Sequence, residues 1–284
     1  MKNTNDTAFQ FVRSLALELS GGRVDLPSFP EIVVRVRRVL ADQNASLDKV
    51  VRVVGSEPAL GARIVKMSNS ASLSRGNVVT DLRTAINRLG YNMVRSAAMA
   101  FAMAQIRTSN RLKGLDHHLS ELWQRSIRVA AFAFVLARTC TKLNPDEAML
   151  TGMMHGIGKL YVLTRLIEHP ELFEDANVLQ RIIDDWHAVI GKAILENWEF
   201  SETMAAAVGE QHDLGRAGDG PPDLCDVIVA ASVMESIASD RAAMDATLYV
   251  LPAARRLGLN QSNGAAVLSA SEAEITALCQ ALGN

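Results

Sequence analysis

Apolar residues along this chain recur at helical spacing and almost never at every second position. Ile32, Val36 and Val39 fall on one helix face, and Leu47, Val50, Val51 and Val54 on another. Leu60, Ile64 and Met67 repeat the spacing, as do Leu82, Ile86 and Leu89. Further along come Leu150, Met153, Met154 and Ile157, then Ile182, Ile183, Trp186, Ile190 and Ile194. This is the signature of amphipathic helices that each bury one stripe. With no sustained alternation to suggest strands, the pattern predicts an all-α fold.

The punctuation between these segments is also helical. Ser46, Ser56 and Thr80 or Asp81 are placed to act as N-caps, because a short side-chain oxygen there accepts an orphan backbone N–H. Asn144-Pro145-Asp146-Glu147 combines a cap, a proline with φ pre-set for the first turn, and acids facing the positive end of the dipole. Ser271 and Glu274 have the spacing of a capping box ahead of Ile275 and Leu278. Glycine or proline breaks occur at Gly21-Gly22, at Gly114 and from Gly215 to Pro222. The break near 108–118 is the expected boundary between two lobes.

The composition sharpens this picture in two ways. No apolar run approaches the roughly 20 residues needed to cross a bilayer, and the polar start of the chain shows no secretory leader. Cys140, Cys225 and Cys279 are odd in number and scattered, so neither a disulfide framework nor a CxxC metal pair is expected, and a reducing cytoplasm is. The net charge of −2 conceals an asymmetry. Residues 1–110 carry 15 basic and 8 acidic side chains, and the remainder 14 and 23. The basic half could meet an acidic partner through Arg35, Arg37, Arg38, Arg83, Arg88 and Arg95, although solvated helix faces explain the same count.

Several blocks, taken in order, resemble the HDOD domain, a bacterial relative of the HD and HD-GYP metal-dependent phosphohydrolases. They are Leu26-Pro27 with Pro30, Glu57-Pro58-Ala59-Leu60, Asn69-Ser70-Ala71 and Ala85-Ile86-x-x-Leu89-Gly90, followed by Trp123-x-x-Ser126, His155-x-Ile157-Gly158-Lys159, His187 to Gly191, and Trp198. The family usually has Asp where Glu57 stands. The resemblance implies an N-terminal helix over 1–22, an HDOD domain over 23–240 and a helical extension over 241–284. Within the domain it implies an N-lobe of about 23–110 and an HD-like C-lobe of about 115–240. Pro27, Pro30, Glu57, Pro58, Asn69, Ser70, Gly90 and Trp123 are expected to serve structure rather than chemistry, the prolines rigidifying helix entry and Gly90 joining two helices through a left-handed residue.

The same resemblance bears on chemistry. HD hydrolases read His-Asp where this chain has His155-Gly156, and glycine offers no ligand. Their first histidine falls on Arg125, a permanent cation that repels metal, and their last aspartate falls near Ser232, between Asp226 and Glu235. His155, His187 and His212 remain as a set that could hold one divalent ion; the alternative is histidines bonded to backbone carbonyls and water. The expectation is a non-catalytic signalling module with no cofactor, its partners drawn from signalling proteins such as two-component or cyclic-di-GMP systems. A phosphohydrolase with an altered metal shell, and nucleic-acid binding through the basic N-lobe, are the alternatives.

Overall fold

The computed structural model describes residues 4–21, 31–42, 44–70, 77–107, 112, 114–173, 175–218, 220–237, 240–260 and 264–283. Fourteen α-helices form from them, and no strand appears among the described residues. The first half contributes α1 (Thr4–Ser20), α2 (Glu31–Ala41), α3 (Leu47–Gly55), α4 (Pro58–Ser68) and α5 (Leu82–Arg107). Then follow α6 (Asp116–Cys140), α7 (Pro145–Met154), α8 (Ile157–Leu166), α9 (Ala176–Asn197), α10 (Glu202–Gly209) and α11 (Leu224–Ser236). The chain ends in α12 (Arg241–Val250), α13 (Pro252–Arg256) and α14 (Gly264–Gly283).

Helix α6 is the axis of the molecule. From Val129 to Ala137 every residue is buried, so the helix is apolar on all sides and must be covered on all sides. α7, α11 and α14 pack directly against it. α8 crosses α9 at a point where only glycine fits: a Cβ on Gly158 would lie 1.8 Å from the carbonyl oxygen of His187. In the first half, α2 to α5 close around Val50, Val54, Leu60, Ile64 and Ile86, each at most 1% exposed. The apolar core is continuous from Phe11 to Leu282.

Local signals in the sequence account for many of the helix ends. Ser46 accepts from the Lys49 N–H, Asp81 from Thr84, and Asn144 from both Asp146 and Glu147. Gly90, at φ +76°, breaks α5 in two without ending it. Asn69 does more than terminate α4. Its Nδ2 donates to the Val65 and Val79 carbonyls and its Oδ1 accepts the Val79 N–H at 2.8 Å, which pins the segment before α5 onto the end of α4. Ser70 donates to the Met67 carbonyl.

Two expectations require correction. Ser56 does not start α4; it closes α3, its hydroxyl donating to Val53, and Glu57 precedes Pro58 without a side-chain cap. Ser271 and Glu274 form no capping box, because α14 already runs from Gly264. Ser271 is buried in mid-helix, and Glu274 instead receives the Arg138 guanidinium. The first helix also goes somewhere the sequence did not indicate: α1 packs against α9, while its Glu18 reaches α8 and bonds Tyr161 and Arg165. Leu26, Pro27, Pro30, Ala71 and, within the 108–118 break, residues 108–111 and 113 lie outside the described residues.

Candidate functional site

His155 and Gly156 form the turn between α7 and α8. The His155 ring is 3% exposed, and its Nδ1 lies 2.7 Å from the Gly152 carbonyl. His187, in the middle of α9 and 1% exposed, repeats the arrangement, its Nδ1 standing 2.6 Å from the Ile183 carbonyl. A carbonyl can only accept, so both Nδ1 atoms carry the proton and both Nε2 atoms present a lone pair. His212, exposed just beyond α10, brings its Nε2 to 2.7 Å from that of His187. Since the His187 nitrogen has no proton to give, the bonding assigns the donor role to His212. The rings meet edge to face at 4.6 Å. Gln211 locks the corner by donating to the His155 and Val208 carbonyls at 2.9 and 2.8 Å.

Burial keeps these imidazoles neutral at physiological pH. It lowers His155 to about 3 and His187 to about 4, and it lowers His212 as well. Arg125 and Lys159 push His155 and His212 in the same direction, because a second cation disfavours a charged ring. Lys159 is itself lowered, chiefly by desolvation and then by Arg125.

Arg125 stands beside these rings for a reason that the helix pairing explains. Its Nη2 donates to the Ser232 hydroxyl at 3.1 Å, and its Nη1 lies 3.4 Å from the Glu235 carboxylate. One turn along, Arg128 donates to the same carboxylate at 2.7 Å. Arg125–Ser232 and Arg128–Glu235 have the same sequence separation, so α6 and α11 run parallel with residues at i and i+3 in step. Glu235, 8% exposed, balances two guanidinium groups.

The structure also shows what stands beside Gly156, where the resemblance implies a lost carboxylate. A Cβ on Gly156 would meet Leu122 Cδ1 at 2.6 Å and Ser126 Oγ at 3.4 Å. Leu122, on the α6 turn preceding Arg125, occupies the space into which a side chain at 156 would grow. Asp226 cannot substitute. Fully buried, it caps the start of α11 and pairs with Arg216 and Arg256, each at 3.1 Å.

A divalent metal needs ligand atoms about 2 Å away that converge on one point. Among the described residues, the group of three such donors with ligand atoms within 4.8 Å of one another is His117, His118 and Glu121, at the start of α6. His155, His187 and His212 do not form such a group. One Nε2 is engaged by a neighbouring ring, and a guanidinium points its charge into their surroundings. The residues present do not fit the metal centre of the HD hydrolases that the chain resembles.

Two cavities open nearby. One of about 450 Å³ lies between α6, α8, α9 and α11, lined by Arg125, Arg128, Lys159, Gln124, Gln180 and Glu235 among others. A larger one of about 630 Å³ separates α2 and α5 from the turn after α9, with Arg38, Arg95, Glu147 and Phe200 on its walls. The described N-terminal arginines have several different partners. Arg38 and Arg95 reach this cavity, Arg95 also donating to the Leu40 carbonyl; Arg83 pairs with Asp48, and Arg88 donates to Asn77 and Ser68. Arg35 is exposed, and the side chain of Arg37 lies outside the described residues. Trp123 is core, 3% exposed. Sequence reasoning missed Leu122 as the filler at Gly156 and treated Glu235 only as a flanking acid. The repeated i, i+3 spacing of Arg125/Arg128 and Ser232/Glu235 was the available signal for the second.

Fold and site together define an all-helical protein built on an HD-type frame. The HDOD domain model matches residues 26–214, and the chain belongs to that family. A solved structure from Shewanella amazonensis SB2B, provisionally named a metal-dependent phosphohydrolase, is 28% identical and superposes with a TM-score of 0.79 over 98% of this chain and 99% of its own. An HDOD domain protein of unknown function from Geobacter sulfurreducens is 22% identical, with a TM-score of 0.64 over 95% and 97%. A Marinobacter aquaeolei VT8 protein provisionally named for signal transduction is 19% identical, with a TM-score of 0.62 over 99% and 67%. An uncharacterized Treponema pallidum (strain Nichols) protein is 22% identical over 233 residues, and this chain spans 44% of its length. No helix among the described residues is long and apolar enough to cross a membrane.

Proposed function

We propose that this chain is a non-catalytic regulatory module of signal transduction. In this reading the HD-like half, residues 115–240, has exchanged its metal-binding chemistry for an internal ion pair, while the half before it offers surfaces to protein partners. The observation that carries the reading is the Arg125 guanidinium bonded to Ser232, the two being positions where HD hydrolases are expected to have metal ligands, and paired with the neighbouring Glu235. A fixed cation there opposes a divalent ion, and Leu122 fills the space of the lost carboxylate. Without a bound ion no water is activated for attack on a phosphate ester.

Partners in two-component or cyclic-di-GMP circuits fit the company the fold keeps, which includes a protein provisionally named for signal transduction. The competing reading is hydrolysis, the activity in the provisional name of the Shewanella relative. A phosphodiesterase assay on purified protein with added Mn²⁺ or Fe²⁺ separates them. The regulatory reading expects no turnover above the metal-only blank. Robust turnover that disappears in His155→Ala would sink it.

A further inference from the structure

In the cavity between α6, α8, α9 and α11, three side-chain cations, Arg125, Arg128 and Lys159, face a single buried carboxylate, Glu235. Glu235 is shared by the two arginines. Lys159 makes no ion pair within 4.0 Å and no hydrogen bond among the described residues; Asp184 acts on it only at longer range. Glu121, also on the wall, lies at the exposed rim beside His117, and His118 completes the titratable lining. The three neighbouring histidines are neutral and contribute no compensating charge. His155 presents an Nε2 lone pair, and that of His187 is engaged by His212. Gln124 and Gln180 add amide donors to the wall.

An amine desolvated beside a guanidinium is electrostatically unfavourable unless an anion shares the space. Arginine and lysine together supply a planar fork and a point charge, the combination that oxyanions take up readily. We propose that this cavity is an oxyanion-binding site, built on Lys159 and Arg125, for a phosphoryl or carboxylate group carried by a small regulatory ligand. The cleft thus recognises an anion directly, without metal. Its volume of about 450 Å³ admits a ligand larger than a free ion. The inference rests on the metal-free reading of the cleft given above.

Calorimetric titration of the full chain with inorganic phosphate, and separately with citrate and a nucleoside monophosphate, tests it. EDTA is present throughout, and chloride at matched ionic strength is the reference. Binding of at least one probe is expected, weakened at least about tenfold in Lys159→Gln and unchanged in Arg138→Gln, a remote arginine paired with Glu274. The pattern of response among the three probes distinguishes a phosphoryl from a carboxylate ligand and a free ion from an organic one. Lys159→Gln removes a partly desolvated cation that lacks an ion-pair partner, so the fold should persist, and an unchanged thermal midpoint checks this. No heat beyond the chloride reference with any probe, or equal binding in Lys159→Gln, overturns the site. Binding that appears only when Mn²⁺ replaces EDTA overturns both this inference and the metal-free reading, whereas absence under both conditions overturns this one alone.

Discussion

Truncating Arg125 leaves the buried Glu235 with Arg128 as its remaining partner and removes the donor to Ser232. Arg125→Ala should therefore cost about 1–3 kcal/mol of stability, as expected for a buried acceptor that loses a charged donor, and urea unfolding at neutral pH reads it. The histidines give a second test. Their folded pKa values lie below the ordinary 6.5, at about 3 for His155 and about 4 for His187. The unfolded chain therefore takes up protons that the folded chain excludes. Stability is therefore full above pH 6.5 and is lost progressively as pH falls from there toward the folded values. Unfolding midpoints measured from about pH 7.5 down to about pH 5 should fall, and less steeply in a His155→Asn, His187→Asn double variant. Equal slopes in both proteins would show that the histidines are not held neutral by the fold. In sequence, Gly156 stood out through the resemblance, which implies a lost ligand there. Its neighbour was not legible, because Leu122 reaches it across a helix packing that no local pattern encodes.

Helix ends and crossings carry the next set of consequences. At Gly158 the α8–α9 crossing brings backbone to 1.8 Å from an added Cβ, and a carbonyl cannot turn aside as a flexible side chain can. Gly158→Ala should cost more than about 3 kcal/mol or prevent folding, visible as loss of cooperative thermal unfolding. The turn after α9 offers the opposite case. Glu199 adopts φ +55°, the left-handed position usually given to glycine, while the Phe200 N–H bonds back to Leu195 at 3.0 Å. Glu199→Gly should stabilise the protein by about 1 kcal/mol, measured as a rise in the denaturation midpoint; a fall would mean that the side chain contributes more than its strain costs. Ser46, Asn144 and Gly90 were readable because a cap or a positive φ depends on three or four adjacent residues. Ser56 and Ser271 misled for the converse reason. A serine before an apolar run marks a boundary only if the preceding residues are not already helical, and that is settled by tertiary packing.

At the scale of the molecule, helical periodicity was enough for the all-α class, and ordered motifs were enough for the family. Neither located α1 against α9 or placed α6 and α11 in parallel step, since each docking depends on which faces complement one another. That step makes Arg125 part of an ion-pair ladder with Arg128 and Glu235, and it underlies the proposal that the HD-type frame now serves regulation. Metal stoichiometry tests this most directly. The protein carrying His117→Ala and His118→Ala, which removes the exposed donors at the start of α6, is equilibrated with excess Mn²⁺ or Fe²⁺ and freed of unbound ion, and the retained metal is counted by mass spectrometry. The account predicts far less than one ion per chain, unchanged by His155→Ala. One or two ions per chain, lost on His155→Ala, would contradict it.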